Sequence, residues 1–215
     1  MHATAPPLAV RVWGPWACFT RPEMKVERVS YPVPTPSAAR GILEAIFWKP
    51  EFRWQVEAIW VLQPIHYASI LRNEVKSKAA VKTVQKWAKK PGAYIIGTDR
   101  TQRHTLALRD VAYVIEAQVQ LLPHCSDHPA KYRDQFRRRV KRGQCFSRPY
   151  LGCREFSAAF GPADPEQAPQ PINEHLGRML YDLDYASDDS GRGTPVFFEA
   201  SIVDGVMRVP ARQEA

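Results

Sequence analysis

The sequence predicts an α+β protein built mainly from antiparallel strands. Three observations carry this expectation. The first 64 residues run strand, helix, strand; a second helical pattern over 128–142 follows two further strand-like segments; and everything beyond Gly143 reads as short strands separated by turns. At 215 residues, 45% hydrophobic and 24% charged, the chain is long enough for a large core. We divide it into an RRM-like (ferredoxin-like) unit over 1–145 and a small antiparallel β-sheet unit over 146–215.

Each element has a local reason. Val10 to Trp13 alternates apolar and polar side chains and predicts a strand from Leu8, stopped by Gly14-Pro15. Ala39, Ile42, Leu43, Ile46 and Phe47 recur at helical spacing, so a helix is expected from about Ser37 to Trp48, ended by Lys49-Pro50. Pro32, Pro34 and Pro36 stiffen the approach to it. From Phe52 to Pro64 a long strand should place Trp54, Val56, Ala58, Trp60 and Leu62 on one face. Residues 73–90 read as a basic helical insertion, Tyr94 to Ile96 and Thr105 to Leu122 as two strands joined by a polar turn over 97–104. Tyr132, Phe136 and Val140 stand four apart and predict a helix over His128 to Arg142. Tyr150 to Phe156 should begin a strand, Gly161 to Pro171 is a proline-rich loop, and Leu176–Tyr185, Val196–Val203 and Val206–Val209 complete a sheet with turns at 188–191 and Asp204-Gly205. The order strand-helix-strand, hairpin strands, helix is that of a ferredoxin-like or RRM-like unit with a β-rich appendage.

Several function classes drop out. No stretch approaches the roughly 20 uncharged apolar residues of a spanning helix, and Arg11, Trp13, Gly14 and Pro15 interrupt the only signal-peptide candidate. A cytoplasmic, membrane-free protein is expected. Cys18, Cys125, Cys145 and Cys153 form no C-x-x-C pair. His124-Cys125-x-x-His128 offers three ligands but lacks a fourth, so no metal and no cofactor are expected. There is no glycine-rich phosphate loop.

The charge is concentrated. Residues 131–154 hold nine Lys and Arg against Asp134 alone, a local excess equal to the net +8 of the whole chain. Residues 72–90 hold seven against Glu74, while 155–215 carry eleven acids against four arginines. A solvated helix face mixes signs so that i,i+4 pairs form. Unpaired like charge points to a polyphosphate, whose condensed counterions Lys and Arg displace. The competing reading is that acids of the last third fold over these patches and cancel them. Arg133, Arg137, Arg138, Lys141 and Arg142 are the candidate phosphate contacts, with Lys49. Trp13, Trp16, Phe19, Tyr31 and Trp48 are interleaved with Arg11, Arg21, Lys25 and Lys49, and unpaired bases stack on such rings, so Tyr31 joins the RNA-binding candidates.

The basic segments hold almost no carboxylates, which disfavours metal-dependent cleavage there. RNA can be cut without a metal, because its 2′-hydroxyl is a built-in nucleophile that needs a base, an acid and one cation. Lys131-Tyr132, with His128 three residues before, is the best local match. Against it stand two plainer roles: Tyr132 as a core aromatic and His128 as a helix-start residue.

Several segments in order resemble the Cas5d family of subtype I-C CRISPR systems. They are Val12-Trp13-Gly14 with Phe19-Thr20; Ser30-Tyr31-x-Val33-Pro34-Thr35; Gly41-Ile42-x-Glu44-x-Ile46-x-Trp48-Lys49-Pro50; Pro64-Ile65; Thr105 to Val111; and Tyr150 to Phe156. The resemblance spans roughly 8–210 and is most specific over 30–50. It implies a RAMP-superfamily protein with an RRM-like unit and a C-terminal sheet. It also implies an enzyme that cuts CRISPR repeat RNA without metal at the 3′ base of the hairpin. Such a protein then keeps the 5′ handle of the guide RNA within the type I-C interference complex, beside its other subunits, and binds double-stranded DNA as well. The family pattern has a tyrosine before Trp-Lys-Pro and a Lys-His pair at the later helix start; here those positions hold Phe47 and Lys131-Tyr132, so only the lysine is retained. Tyr132 is then expected to supply the hydroxyl that Phe47 lacks, with His128 or Lys131 handling the proton. The alternatives are an RNA-binding structural subunit without cleavage, and a general duplex DNA binder.

Overall fold

The structure, a computed structural model, describes residues 5–24, 26–77, 80–89, 92, 96–185 and 193–211. Its chain order is β1 (Leu8–Ala17), β2 (Arg28–Val29), α1 (Pro36–Ile46), β3 (Phe52–Val61), β4 (His66–Val75), α2 (Val81–Lys89), a 3₁₀ turn (Ile96–Thr98), β5 (Arg100–Leu121), α3 (Pro129–Arg142), β6 (Ala159–Pro162), β7 (Glu174–Tyr185), β8 (Gly193–Val203) and β9 (Val206–Arg208). This is α+β, with a mostly antiparallel sheet in the order β6-β1-β5-β3-β9-β8-β7, while β2 and β4 pair with the first half of β5. β1 and β3 flank β5, both antiparallel to it, with α1 joining them. β6 lies antiparallel on the far side of β1 and is reached from β5 through α3. β9 docks on β3 and carries β8 and β7 with it.

Both well-capped helices follow their sequence signals. Thr35 accepts the Ala38 N–H at 3.2 Å and Pro36 opens α1, where its missing N–H costs nothing. α3 begins on His128-Pro129 and ends on Gly143, which sits at φ +62° while Gln144 N–H reaches back to the Arg139 carbonyl at 2.9 Å. Both helices lie against the sheet, α1 on β3 and β7, α3 on β1, β5 and β6. The core between them holds Ile42, Leu43, Ile46, Phe52, Ile115 and Phe136.

The strands depart from expectation in five places. β1 does not stop at Gly14-Pro15 but runs to Ala17. Pro15 falls opposite Asp110, whose φ is +52°, and the ladder skips that pair, so the absent N–H is never needed. β3 carries a bulge between Val56 and Ala58. The extra residue turns Ile59 and Val61 to the core shared with Phe52 and Trp54, and sends Trp60 and Leu62 to a small cluster with Ala112 and Val114. The single alternating face expected over 54–62 is therefore two. Residues 66–75 form β4, and among the described residues of the basic insertion the helix covers Val81–Lys89; the hairpin joins β4 to β5, not 94–96 to 105–122. Ile96 belongs to the 3₁₀ turn, while 94–95, and the expected turn at 188–191, lie outside the described residues. Residues 150–156 form turns closed by a bridge between Tyr150 and Ser157, not a strand. The cause is Gly152 at φ +84°, pressed so close to Cys18 that a Cβ would lie 2.1 Å from its carbonyl oxygen.

Candidate nucleic-acid interface and cleavage site

α3 buries one stripe, Tyr132, Phe136 and Val140, against the sheet and leaves Lys131, Arg137, Arg138, Lys141 and Arg142 exposed. Arg137 pairs locally with Asp134 at 3.0 Å, an exposed contact of little energetic weight. Among the described residues no carboxylate lies within ion-pair distance of Arg138, Lys141, Arg142 or the exposed Lys49. Two described acids of the last third are engaged elsewhere: Asp182 grips Arg40 through both oxygens, and Glu155 reaches Arg28 and Arg72. These pairings fall on α1, β2 and β4, and among the described residues no acid of the last third pairs with α3.

Two of the expected RNA contacts are occupied inside the fold. Arg133 is buried, donating to Gln118 Oε1 at 2.9 Å and to the Pro6 carbonyl, so it fastens the N-terminal segment to the sheet. Tyr31 is fully buried with Arg21 over its ring at 4.5 Å, and its hydroxyl accepts the Leu180 N–H. Neither presents a free face in this conformation, because burying them satisfies polar groups that would otherwise be orphaned. Phe19 is buried as well, whereas Trp13 and Trp48 are exposed. Lys25 lies outside the described residues.

At the N-terminus of α3 the chain gathers a cluster. Asp127 Oδ2 accepts from Lys131 Nζ at 2.7 Å and from the Tyr132 hydroxyl at 2.6 Å, and Cys125 Sγ lies 3.7 Å from the same hydroxyl. The two hydrogen bonds, that from Lys131 first, hold the Asp127 carboxyl below its ordinary range. Lys131 is raised in turn by the bond to Asp127, so its ammonium is secure. The Tyr132 phenol is pushed far up, chiefly by its bond to the Asp127 carboxylate and then by burial, which favours the protonated phenol. His128 is exposed and caps the helix, its Nδ1 accepting the Ala130 N–H at 3.2 Å. That bond requires a lone pair on Nδ1 and leaves the neutral ring's proton on Nε2. The three possible ligands of the 124–128 segment are used separately, since His124 bonds the Pro50 carbonyl at 3.1 Å.

Phe47 is buried at the end of α1. Its ring centroid stands 5.5 Å from that of Phe52, which in turn stands 5.1 Å from Tyr132. Phe47 and Tyr132 thus share one aromatic neighbour. Arg139 seals the other end, donating to the Ile46 carbonyl at 3.1 Å and lying 5.3 Å from the Phe47 ring centroid. A cleft of about 430 Å³ lies beside Arg40, Trp54, Tyr181 and Asp182, away from Lys131.

Sequence reasoning missed Asp127, although its i,i+4 spacing to Lys131 was visible. It also missed Phe146, 83% exposed, which no periodicity marks.

A family model described as "CRISPR-associated protein (Cas_Cas5)" matches residues 7–210. The protein named "CRISPR pre-crRNA endoribonuclease Cas5d" from Thermus thermophilus is 48% identical over 96% of this chain and 92% of its own length. Its namesake from Mannheimia succiniciproducens is 43% identical over 94% of each. Two crystal structures share the fold: one titled as a CRISPR-associated protein, with TM-score 0.68, 23% identity and 96% of this chain covered (93% of that one), and a functionally uncharacterized protein from Streptococcus mutans, with TM-score 0.67, 18% identity and the same coverage. By the extent of these matches the chain belongs to the Cas5d family of CRISPR-associated proteins.

Proposed function

We propose that this protein is an endoribonuclease that cuts CRISPR precursor RNA at the repeat hairpin without a metal, then holds the 5′ handle inside the type I-C interference complex in the cytoplasm. The observation that carries the reading is the exposed cationic face of α3, ending in a lysine whose charge Asp127 secures. Two near relatives bearing the endoribonuclease name support it. The same face would grip duplex DNA through its phosphates, with a steep loss of affinity in salt. The topology supports a ferredoxin-like, RRM-like unit: two split β-α-β crossovers, β1-α1-β3 and β5-α3-β6, interleave in the order β6-β1-β5-β3. With β6 as its fourth strand, that unit would extend past residue 145 to about 162, with β9, β8 and β7 continuing the same sheet from β3.

In the reaction the 2′-oxygen bonds to phosphorus as the 5′-oxygen leaves, producing a 2′,3′-cyclic phosphate and a 5′-hydroxyl. Lys131 meets the non-bridging oxygen, where a compact ammonium offsets the developing charge. Asp127 and Tyr132 position Lys131. His128 takes the 2′-hydroxyl proton on Nδ1, giving up a cap that is worth about 1 kcal/mol, and solvent protonates the leaving oxygen.

The test is labelled repeat RNA incubated with the protein in EDTA. A single cut ending in a cyclic phosphate is expected. Tight binding with no cut would replace the proposal by the structural-subunit reading, which Phe47 in the family's tyrosine position favours. His128→Asn separates cap from catalysis, because an Asn oxygen still accepts the Ala130 N–H. Its melting temperature should match the parent within a degree or two while the single-turnover rate falls by about 10² or more. An unchanged rate leaves His128 as a cap only. Tyr132→Phe should slow cutting by about tenfold, the cost of one lost hydrogen bond of about 1 kcal/mol or slightly more; parental rates would remove the hydroxyl from the mechanism.

A further inference from the structure

Phe146 is 83% exposed and Trp48 is 53% exposed. Both stand at the C-terminal end of α1. The Phe146 and Ser147 N–H groups donate to the Ala45 carbonyl at 2.8 and 3.0 Å, which fastens the 146–147 backbone to the last turn of the helix. Trp48 follows the Phe47 cap directly, on a turn held by Trp54 Nε1 donating to the Phe47 carbonyl at 2.9 Å. Two large rings are therefore held in water by a fixed backbone, against the usual preference for burial. Around them Lys49, Arg142 and Arg148 are exposed, and none has a carboxylate within ion-pair distance among the described residues. Apolar rings set among uncancelled cations fit a ligand that carries both flat apolar faces and negative charge. A single strand of RNA has both; a base-paired duplex hides the base faces.

We infer that Trp48 and Phe146 form a stacking platform for unpaired nucleotides beside the repeat hairpin. The platform is one end of a track along α3 whose other end is Lys131, and this rests on the endoribonuclease reading. The spacing follows from the helix. Arg139, bonded to the Ile46 carbonyl at the platform end, lies eight residues from Lys131, or about 12 Å at the helical rise. At about 3.4 Å per stacked nucleotide, the stacked base lies roughly three to four nucleotides from the scissile phosphate.

The experiment measures affinity for the repeat hairpin with single-stranded flanks and for the same hairpin with blunt ends, in the parent, Trp48→Ala, Phe146→Ala and Tyr185→Ala. Tyr185 is an exposed aromatic on β7, outside the track, and serves as the control. The parent and the control should prefer the flanked RNA, and the two platform variants should lose roughly ten- to hundredfold of that preference, the range for removing one base-stacking ring. Abasic sites three or four nucleotides from the cut should mimic the variants. Melting curves check folding, and both rings are exposed enough for alanine to be tolerated. A flank preference that survives in both variants, or a parent with none, overturns the inference and leaves a protein surface as the occupant of the patch. Absence of cutting by the parent, with the preference intact, overturns the endoribonuclease reading alone.

Discussion

Lys131→Ala is expected to slow cutting of repeat RNA by about 10² to 10³, the usual consequence of removing one preorganised charge from a developing phosphorane, while binding of the uncut RNA weakens only a few-fold. Single-turnover rates at saturating protein give the first quantity, and a filter or anisotropy titration the second. The separation matters because Arg138, Lys141, Arg142 and Lys49 remain to hold the backbone. The bond to Asp127 raises the Lys131 ammonium above its ordinary value, so its charge is retained through neutrality and is lost only as pH climbs past the ordinary lysine range. Any fall in rate below that pH belongs to another group. Equal loss of binding and cutting in this variant would make Lys131 one phosphate contact among several.

Phe52→Ala should be the most destabilising single change near the site. The ring is buried and stands within 5.1 to 5.5 Å of Tyr132, Trp54 and Phe47, so alanine leaves a cavity under three aromatics at once. A loss of about 3 to 5 kcal/mol is expected from the removed surface and the unfilled volume, which lowers the melting temperature by roughly 6 to 20 °C for a chain of this size. Urea midpoints at unchanged slope would confirm it. Tyr132 loses its support along with the stability, so the folded fraction should also cut more slowly. A drop under about 1 kcal/mol would mean that the neighbouring rings collapse into the gap, and that this cluster does not fix the position of Tyr132.

α1 and α3 were legible because their signals are short-range. Thr35-Pro36, His128-Pro129 and Gly143 supply or release backbone groups within one turn, and the 132/136/140 stripe needs no knowledge of what it faces. β4 was not legible. Its residues are at most half-buried, alternate weakly, and become a strand through pairing with Arg100 to Arg109, 25 to 43 positions away. The bulge in β3 was hidden for a similar reason, since the sequence alternates through Glu57 and only the partner strand decides which residue is extra.

At the site the division is the same. The sequence by itself determined the family, the helix that bears Lys131, and a cationic surplus too large for its own neighbours to cancel. Only the tertiary structure decided that Arg133 is spent inside while Arg138 is not, that Asp127 holds both Lys131 and Tyr132, and that Asp182 goes to Arg40 and Glu155 to Arg28 and Arg72. Caps and periodicity act within a turn of chain, whereas ion-pair partners, strand register and burial are chosen by groups brought together across scores of residues.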